Sequence, residues 1–230
     1  MAAHISSGGW TAVGTLALAS ATVLLAAVAV FTEPLRRRFS RTHLTVEIRA
    51  VPPDMHQIEM RNAVTGASAG LSVYARIRVT NIGPVAAENV EILASRVEQI
   101  TGGVRADLAS FLPLSLTWSH FQPPTSLVRV PAAVFRHCDL GRFQPLPGDS
   151  RTVFVMSTIA QPNPVAGGAI PHVLEAGDYV LHLVVTGDNI EPLQRRFRLR
   201  FPSQWSDDEA AMLASVTLTE IAEESRFNTR

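Results

Sequence analysis

One short segment of the sequence concentrates side chains that could do chemistry. Arg136, His137, Cys138 and Asp139 are consecutive, and His120 lies upstream of them. Histidine, cysteine and aspartate are zinc ligands, and a cysteine beside a histidine base can act as a nucleophile. However, adjacent residues of a strand point to opposite faces, so His137 and Cys138 would not reach the same ion. We therefore expect a buried Cys138 and an exposed His137, with no catalytic, metal-binding or cofactor-binding residue.

The rest of the sequence excludes several further kinds of catalytic chemistry. No H-E-x-x-H, Walker A or G-x-G-x-x-G pattern occurs, and all twenty basic residues are arginine. Lysine chemistry, such as a Schiff base, is therefore excluded. His182 falls on the polar side of its predicted strand, where we expect it to be solvated. A non-enzymatic protein without a cofactor is the prediction.

Composition favours a chain that is partly membrane-embedded and partly globular. The hydrophobic fraction is 47% and the charged fraction only 17%, and part of the apolar excess lies at the N-terminus. The formal net charge is zero, so no nucleic-acid partner is predicted. Cys138 is the only cysteine, which precludes an intrachain disulfide and favours a reducing compartment.

The N-terminal region predicts a single membrane anchor. Residues 10–32 form the predicted transmembrane helix. Within them Trp10–Phe31 is charge-free and apolar or small throughout, and as a helix it would span roughly 33 Å, close to the ~30 Å hydrocarbon core of a bilayer. Residues 33–42 form a basic juxtamembrane linker, whereas the tail at residues 1–9 has no arginine. By the positive-inside rule the C-terminal domain is expected in the cytosol, at the inner face of a cytoplasmic membrane.

Two features of the predicted anchor also fit other interpretations of this segment. The small residues Ala27–Ala29 resemble a signal-peptidase site, but a signal peptide needs its basic residues before the apolar run rather than after it. The small-residue pairs Thr15/Ala19 and Ala17/Ala21 would let two helices approach closely and self-associate, although an alanine-rich span also produces such pairs by chance. Besides the lipid bilayer, the predicted partner is another protein.

Residues 43–202 predict an all-β sandwich, because short segments alternate apolar and polar residues and are separated by turn residues. Outward charges on the first and last strands are typical of sheet edges. Residues 159–173 are rich in Pro, Gly and Ala and predict a long loop. The predicted strands are Leu44–Ala50, Leu71–Thr80, Asn89–Val97, Leu112–Trp118, Leu127–Val130, Arg136–Arg142, Arg151–Thr158, Asp178–Thr186 and Arg195–Phe201.

Residues 203–230 predict a short C-terminal helix and a tail. Ser206 precedes Glu209 by three residues, which is a capping-box spacing with Ser206 as the N-cap. The helix is expected to end near Ala214. The following segment, residues 215–222, alternates like a strand and is ambiguous.

Two stretches resemble immunoglobulin-like modules. Glu175–Tyr179 (E-A-G-D-Y) is similar to the D-x-G-x-Y tyrosine corner that begins strand F of such sandwiches. The resemblance implies a buried Tyr179 whose hydroxyl bonds an upstream backbone group. Leu181 stands where disulfide-bonded immunoglobulin domains have a cysteine, so the inter-sheet bridge is not expected. Arg78–Ile92 resembles the strand–turn–strand of bacterial CARDB-like adhesion modules, with Asn81 and Gly83 in the turn.

The layout of anchor, basic collar and sandwich is similar to that of uncharacterised bacterial single-pass membrane proteins. A membrane-anchored, non-enzymatic interaction or structural module is therefore the leading hypothesis. The alternative is an exported adhesion-type or ligand-binding β-sandwich. An enzyme centred on His120, His137 and Cys138 ranks below both.

Overall fold

A computed structural model describes residues 15–26, 28, 42–62, 64–146, 148–160, 162–164 and 168–221 of the chain. The chain divides into two units, Met1–Arg41 and Thr42–Arg230. Because each unit is compact by itself, the two are described separately.

The first unit contains the helix α1, which comprises residues 15–26; residue 28 is also helical. The remainder of the predicted span at residues 10–32 and the arginines of the linker lie outside the described residues. Among the residues that are described, no helix is long and apolar enough to cross a membrane. The transmembrane helix therefore stays a prediction that the structure does not support.

The second unit is built from antiparallel strands and one short helix. Its first seven strands are β1 (Leu44–Ile48), β2 (Met55–Arg61), β3 (Ser68–Asn81), β4 (Ala87–Thr101), β5 (Val104–Asp107), β6 (Leu114–Ser115) and β7 (Thr117–Trp118). The others are β8 (Val128–Val130), β9 (Phe135–Pro145), β10 (Thr152–Met156), β11 (Val173–Glu175), β12 (Gly177–Thr186), β13 (Leu193–Phe201) and β14 (Thr217–Ile221), with the helix α2 (Glu209–Ser215) before β14.

The strands form two sheets, which confirms the all-β prediction. The first sheet has the order β1-β3-β9-β10-β11, with β2 also paired to β3 and β7 to β9. The second sheet has the order β14-β13-β12-β4-β5, with β6 and β8 also paired to β4. A single residue, Ala176, separates β11 of the first sheet from β12 of the second. The chain therefore changes sheets abruptly at this point.

The core lies between the sheets, as the alternating pattern predicts. Along β3 the side chains of Val73, Ala75, Ile77 and Val79 are all fully buried. The sheets meet in an aromatic cluster: Phe143 of the first sheet lies edge-on to Phe201 of the second, with ring centroids 5.3 Å apart. Apolar burial on both inner faces is the main stabilising contribution in such a sandwich.

Several local predictions were wrong. Arg195–Phe201 is not an edge strand, because β13 lies between β12 and β14 and the ambiguous segment supplies the edge. Leu112–Trp118 is not one strand: β6 pairs with β4 of the second sheet, whereas β7 pairs with β9 of the first. The strands β2 and β5 were not predicted. Most of their residues are not buried, so buried and exposed side chains alternate only weakly along them.

The helix α2 begins later than the capping-box pattern predicted. Its N-cap is Asp208, whose carboxylate accepts hydrogen bonds from the backbone N–H groups of Ala210 and Ala211. The Ser206 hydroxyl instead accepts from Asp208 N at 3.3 Å. An aspartate is as good an N-cap as a serine, and its negative charge favours the positive end of the helix.

The Asn81–Gly83 turn confirms the role that its motif predicted. Asn81 is fully buried, and its Oδ1 accepts from Thr42 Oγ1 at 2.6 Å and from Gly83 N at 2.9 Å. Its Nδ2 donates to the carbonyl oxygens of Val85 at 2.7 Å and Val130 at 3.0 Å. A Cβ on Gly83 would lie 1.9 Å from Thr42 Oγ1, so only glycine fits here. This network connects the start of β1 with the end of β3 and with β8.

Candidate functional site

The predicted chemical segment lies in an ionic cluster on the outer face of the first sheet. Asp54, in the turn between β1 and β2, accepts hydrogen bonds from Arg78 Nη2 and His137 Nε2 on the same oxygen, both at 2.8 Å. Only 1% of the Asp54 side chain is exposed, against 16% for Arg78 and 14% for His137. Arg78 and His137 are register partners on β3 and β9, so strand pairing presents both to the turn.

This arrangement changes the acid–base properties of Asp54. Burial by itself would raise the pKa of the carboxyl, but hydrogen bonds from Arg78 and His137 outweigh it and leave the pKa lowered. The hydrogen bond to Asp54 raises the pKa of Arg78 in turn. Because the folded-state pKa of Asp54 is depressed, its stabilising contribution is present above the unfolded value and is lost as the pH falls through the folded value.

A second ion pair lies two register positions along the same strands, on the same face. Arg76 Nε bonds Asp139 Oδ1 at 3.1 Å, and the same oxygen accepts from Ser119 Oγ at 2.6 Å. Phe135 completes the surface, with the Arg78 guanidinium 4.4 Å from the centre of its ring. The polar side chains of this cluster are therefore bonded in two groups, one around Asp54 and one around Asp139.

The structure separates the residues that were candidate metal ligands. Cys138 is fully buried in the core, where burial raises the pKa of its thiol well above the usual value, and its Sγ lies 3.2 Å from Thr117 O. His120 is exposed in a turn. No group of three or more His, Cys, Asp or Glu side chains in the described part of the chain is placed to hold a metal ion.

The opposite orientation of His137 and Cys138 is confirmed, but the exposure expected for His137 was wrong. Its imidazole is largely covered because Asp54 closes over it, a contact that sequence reasoning missed. His182 is likewise not simply solvated: 21% of its side chain is exposed, and Nε2 lies 3.3 Å from Glu98 Oε2. In both cases a carboxylate on a neighbouring segment covers the histidine, and nothing in the local pattern indicates it.

A carboxylate–histidine pair is two-thirds of a nucleophilic triad, so the remaining group is decisive. Among the described residues, the His137 side chain hydrogen-bonds only to Asp54. The nearest thiol in sequence, Cys138, faces the core, and the Ser119 hydroxyl is bonded to Asp139. The cluster can therefore hold the β1–β2 turn against the sheet, and in the described part of the chain no nucleophile is hydrogen-bonded to His137.

One serine motif was not among the predicted catalytic candidates. Residues 66–70, G-A-S-A-G, match the G-x-S-x-G pattern of α/β-hydrolases, which requires a strand–turn–helix context. Here the segment belongs to the hairpin between β2 and β3, and Ser68 is the first residue of β3. The structural context of a nucleophile elbow is therefore not present at Ser68.

The tyrosine corner has the geometry that the resemblance implies. The Tyr179 side chain is buried at 3% exposure, and its hydroxyl donates to Glu175 O at 2.8 Å. A Cβ on Gly177 would lie 3.1 Å from the Tyr179 ring, so glycine lets the ring pack closely on the backbone. The corner pins the abrupt crossing from β11 to β12.

A pocket of about 540 Å³ opens beside this corner, between β4 and β12 on one side and β10 and β11 on the other. Its lining includes Leu108, Val173, Leu174 and Tyr179, together with the polar residue Thr152. The Thr152 side chain is 1% exposed, and its hydroxyl has no hydrogen-bond partner among the described residues. This pocket is a second candidate site, and the sequence pattern did not indicate it.

Comparisons with known proteins do not add a relative. No family model, curated protein or solved structure matches this chain. The resemblance to immunoglobulin-like modules therefore depends on the residues themselves and on the geometry of the corner.

Proposed function

We propose that the chain is a membrane-anchored, non-enzymatic interaction module whose immunoglobulin-like β-sandwich binds another protein. The observation that carries this proposal is the open edge of the second sheet. All four residues of β5 are exposed, and Val104 at its start is 69% exposed. No described strand pairs with the outer side of β5. An exposed edge strand offers backbone N–H and C=O groups to an added strand of a partner.

Strand order supports an immunoglobulin-like relationship. In the second sheet the neighbouring strands β4, β12 and β13 correspond to strands C, F and G of an immunoglobulin domain. In the first sheet the neighbouring strands β1, β3 and β9 correspond to its strands A, B and E. The tyrosine corner then falls at the start of strand F, where these domains have it. One departure is that β10, which flanks β9, follows it in the chain, whereas strand D precedes strand E. The module is thus a variant in which the strands after E complete the first sheet.

The ionic cluster supports a structural rather than a catalytic role. The His137 ring is hydrogen-bonded to Asp54. Asp139 accepts hydrogen bonds from both Arg76 and Ser119, and Cys138 is buried in the core. A catalytic base has to reach a nucleophile or a substrate proton. Enzyme activity that is lost on Cys138→Ala, with the fold intact, would contradict this assignment.

The surface of α1 supports the membrane anchor. All of its described side chains are exposed, including the large apolar Leu16 and Leu24, both 68% exposed, and Leu25, 69% exposed. A helix that is apolar around its whole circumference needs a cover such as lipid or other helices. The arginines of the linker favour an orientation with the sandwich in the cytosol.

Site-specific crosslinking in cells tests the interaction. A photo-crosslinking amino acid at Val104 should yield one discrete protein adduct, because this residue lies on the open edge. The matched control is Val64, which is 94% exposed but lies in the β2–β3 turn. Equal adducts at both positions, or none at Val104, would contradict binding at β5.

The exported alternative is favoured by the pocket beside Tyr179, since ligand-binding domains have cavities of about 300–1,000 Å³. Topology separates the two candidates. A C-terminal fusion to a phosphatase that works only outside the cytosol should be silent, and a cytosolic fluorescent fusion should be bright. The reverse pattern would replace the cytosolic proposal with the exported one.

A further inference from the structure

The pocket beside Tyr179 has predominantly apolar walls. Leu108, Ile170, Val173 and Leu174 line it, with the buried ring of Tyr179. At about 540 Å³ it falls in the ~300–1,000 Å³ range of sites that enclose small molecules. Its walls come from both sheets, so the two layers separate here rather than interdigitate.

The charges at the pocket do not favour an anionic ligand. The one lining cation, Arg151, has its Nε 2.5 Å from Asp149 Oδ2. Glu175, which also lines the pocket, contributes a second carboxylate near Arg151. Among the described residues the lining therefore holds one cation and one carboxylate, a net charge of zero, and the guanidinium is already paired with Asp149 outside the lining.

Uncharged hydrogen-bonding groups supply the remaining polarity. Gln99, Ser110 and Ser203 lie in the lining beside Thr152. The Thr152 hydroxyl is buried and has no hydrogen-bond partner among the described residues. Its oxygen has less than 1 Å² of accessible surface, so the polar side chains left for a ligand in the pocket are those of Gln99, Ser110 and Ser203.

We infer that this pocket binds a small, uncharged, mainly apolar molecule that carries at least one hydroxyl or carbonyl group. The apolar body is enclosed by the side chains of both sheets. The polar group meets the uncharged donors and acceptors of Gln99, Ser110 and Ser203. Occupancy of the pocket requires neither the membrane anchor nor the protein partner at β5.

Disulfide tethering of the full-length chain in detergent tests this inference, because covalent capture is read by intact mass and a control cysteine outside the pocket experiences the same partition of fragments into micelles. Ser203→Cys places a thiol at the pocket, and Ser68→Cys places one at an exposed serine of β3 outside it. The native Cys138 is fully buried with a raised thiol pKa, so it provides an unreactive background. The probes are disulfide fragments of matched size that are either uncharged and apolar or carboxylated.

Ser203→Cys should capture the uncharged fragments at least tenfold more than the carboxylated ones, and Ser68→Cys should show no such selection. Adding Val173→Trp to Ser203→Cys should fill the pocket and abolish the selection, with the urea midpoint confirming that the chain is folded. Equal capture profiles at the two cysteines would overturn the site. Preference for carboxylated fragments, or selection that survives Val173→Trp, would overturn it as well.

Discussion

The two ends of the β-sandwich differ in whether their buried polar groups have hydrogen-bond partners. At one end, called here the Asn81 end, the side-chain amide bonds Thr42, Gly83, Val85 and Val130 and leaves no amide group without a partner. At the other, called here the Tyr179 end, the Thr152 hydroxyl lies beside an open pocket and is buried without a partner among the residues that the structure describes. The same fold therefore closes one end completely and leaves the other incomplete.

The difference indicates where stability and where binding are located. A saturated buried network specifies one arrangement of the chain, because removing any member leaves its partners unsatisfied. An incomplete site contributes less to stability but retains the capacity to bind. Four measurements on the full chain would test this contrast, from the largest expected effect to the smallest.

Asn81→Ala is expected to have the largest effect. It removes four hydrogen bonds and leaves the Thr42 hydroxyl, one N–H and two carbonyl groups buried without partners. Each orphaned group costs about 1–3 kcal/mol, so the free energy of unfolding should fall by about 4 kcal/mol or more. The control Asn62→Ala, in an exposed turn, should change it by less than about 1 kcal/mol. If urea unfolding showed similar losses of free energy for Asn81→Ala and Asn62→Ala, the Asn81 end would not be specially constrained.

Tyr179→Phe should cost about 1–3 kcal/mol, because it removes the hydrogen bond to Glu175 O at a buried ring. Tyr179→Ala should cost about 3–5 kcal/mol, since it also leaves a cavity. The half-buried Tyr74, whose hydroxyl contacts only Met60 Sδ at 3.9 Å, should tolerate Tyr74→Phe within about 0.5 kcal/mol. A neutral Tyr179→Phe together with a costly Tyr74→Phe would contradict the tyrosine corner.

The same substitution at the two ends should have opposite signs. Thr42→Val deletes a hydroxyl that donates to Asn81 Oδ1 at 2.6 Å and should lower the free energy of unfolding by about 1–3 kcal/mol. Thr152→Val deletes an unpartnered hydroxyl and should raise it by up to about 1 kcal/mol. Equilibrium urea unfolding measures both. A loss at Thr152 as large as that at Thr42 would mean that both ends are saturated.

His172, adjacent to the pocket-lining Val173, should produce a small acid sensitivity. Burial and the nearby Arg142 lower the pKa of its imidazole below the usual 6.5, and Nδ1 has no hydrogen-bond partner among the described residues. As the pH falls below about 6.5 the unfolded chain binds the proton first, so stability declines until the folded pKa is reached. His172→Leu should lose less stability than the wild type between pH 8 and pH 5. Urea unfolding at each pH measures the difference, and equal losses in the variant and the wild type would contradict this role of His172.

Local alternation predicted the strands that have one buried face. Val73 to Val79 on β3 and Tyr179 to Val185 on β12 were assigned to the core correctly, because a period of two places every second side chain on the same face. The tyrosine corner was also predictable, since its hydrogen bond joins residues only four positions apart. Strands such as β5, which is exposed throughout, have no such pattern and were missed.

The sequence by itself thus determined a mostly β chain, the faces of its main strands and the local corner at Tyr179, and it precluded an intrachain disulfide and lysine chemistry. Only the tertiary structure decided that β13 is internal, that Asp54 covers His137, and that a pocket opens between β4 and β11. The physical reason is distance along the chain. Asp54 and His137 are 83 residues apart, and Thr42 and Asn81 are 39 apart. Contacts of this kind arise from how strands pair and how the two sheets stack, and neither is encoded in a local pattern of apolar and polar residues.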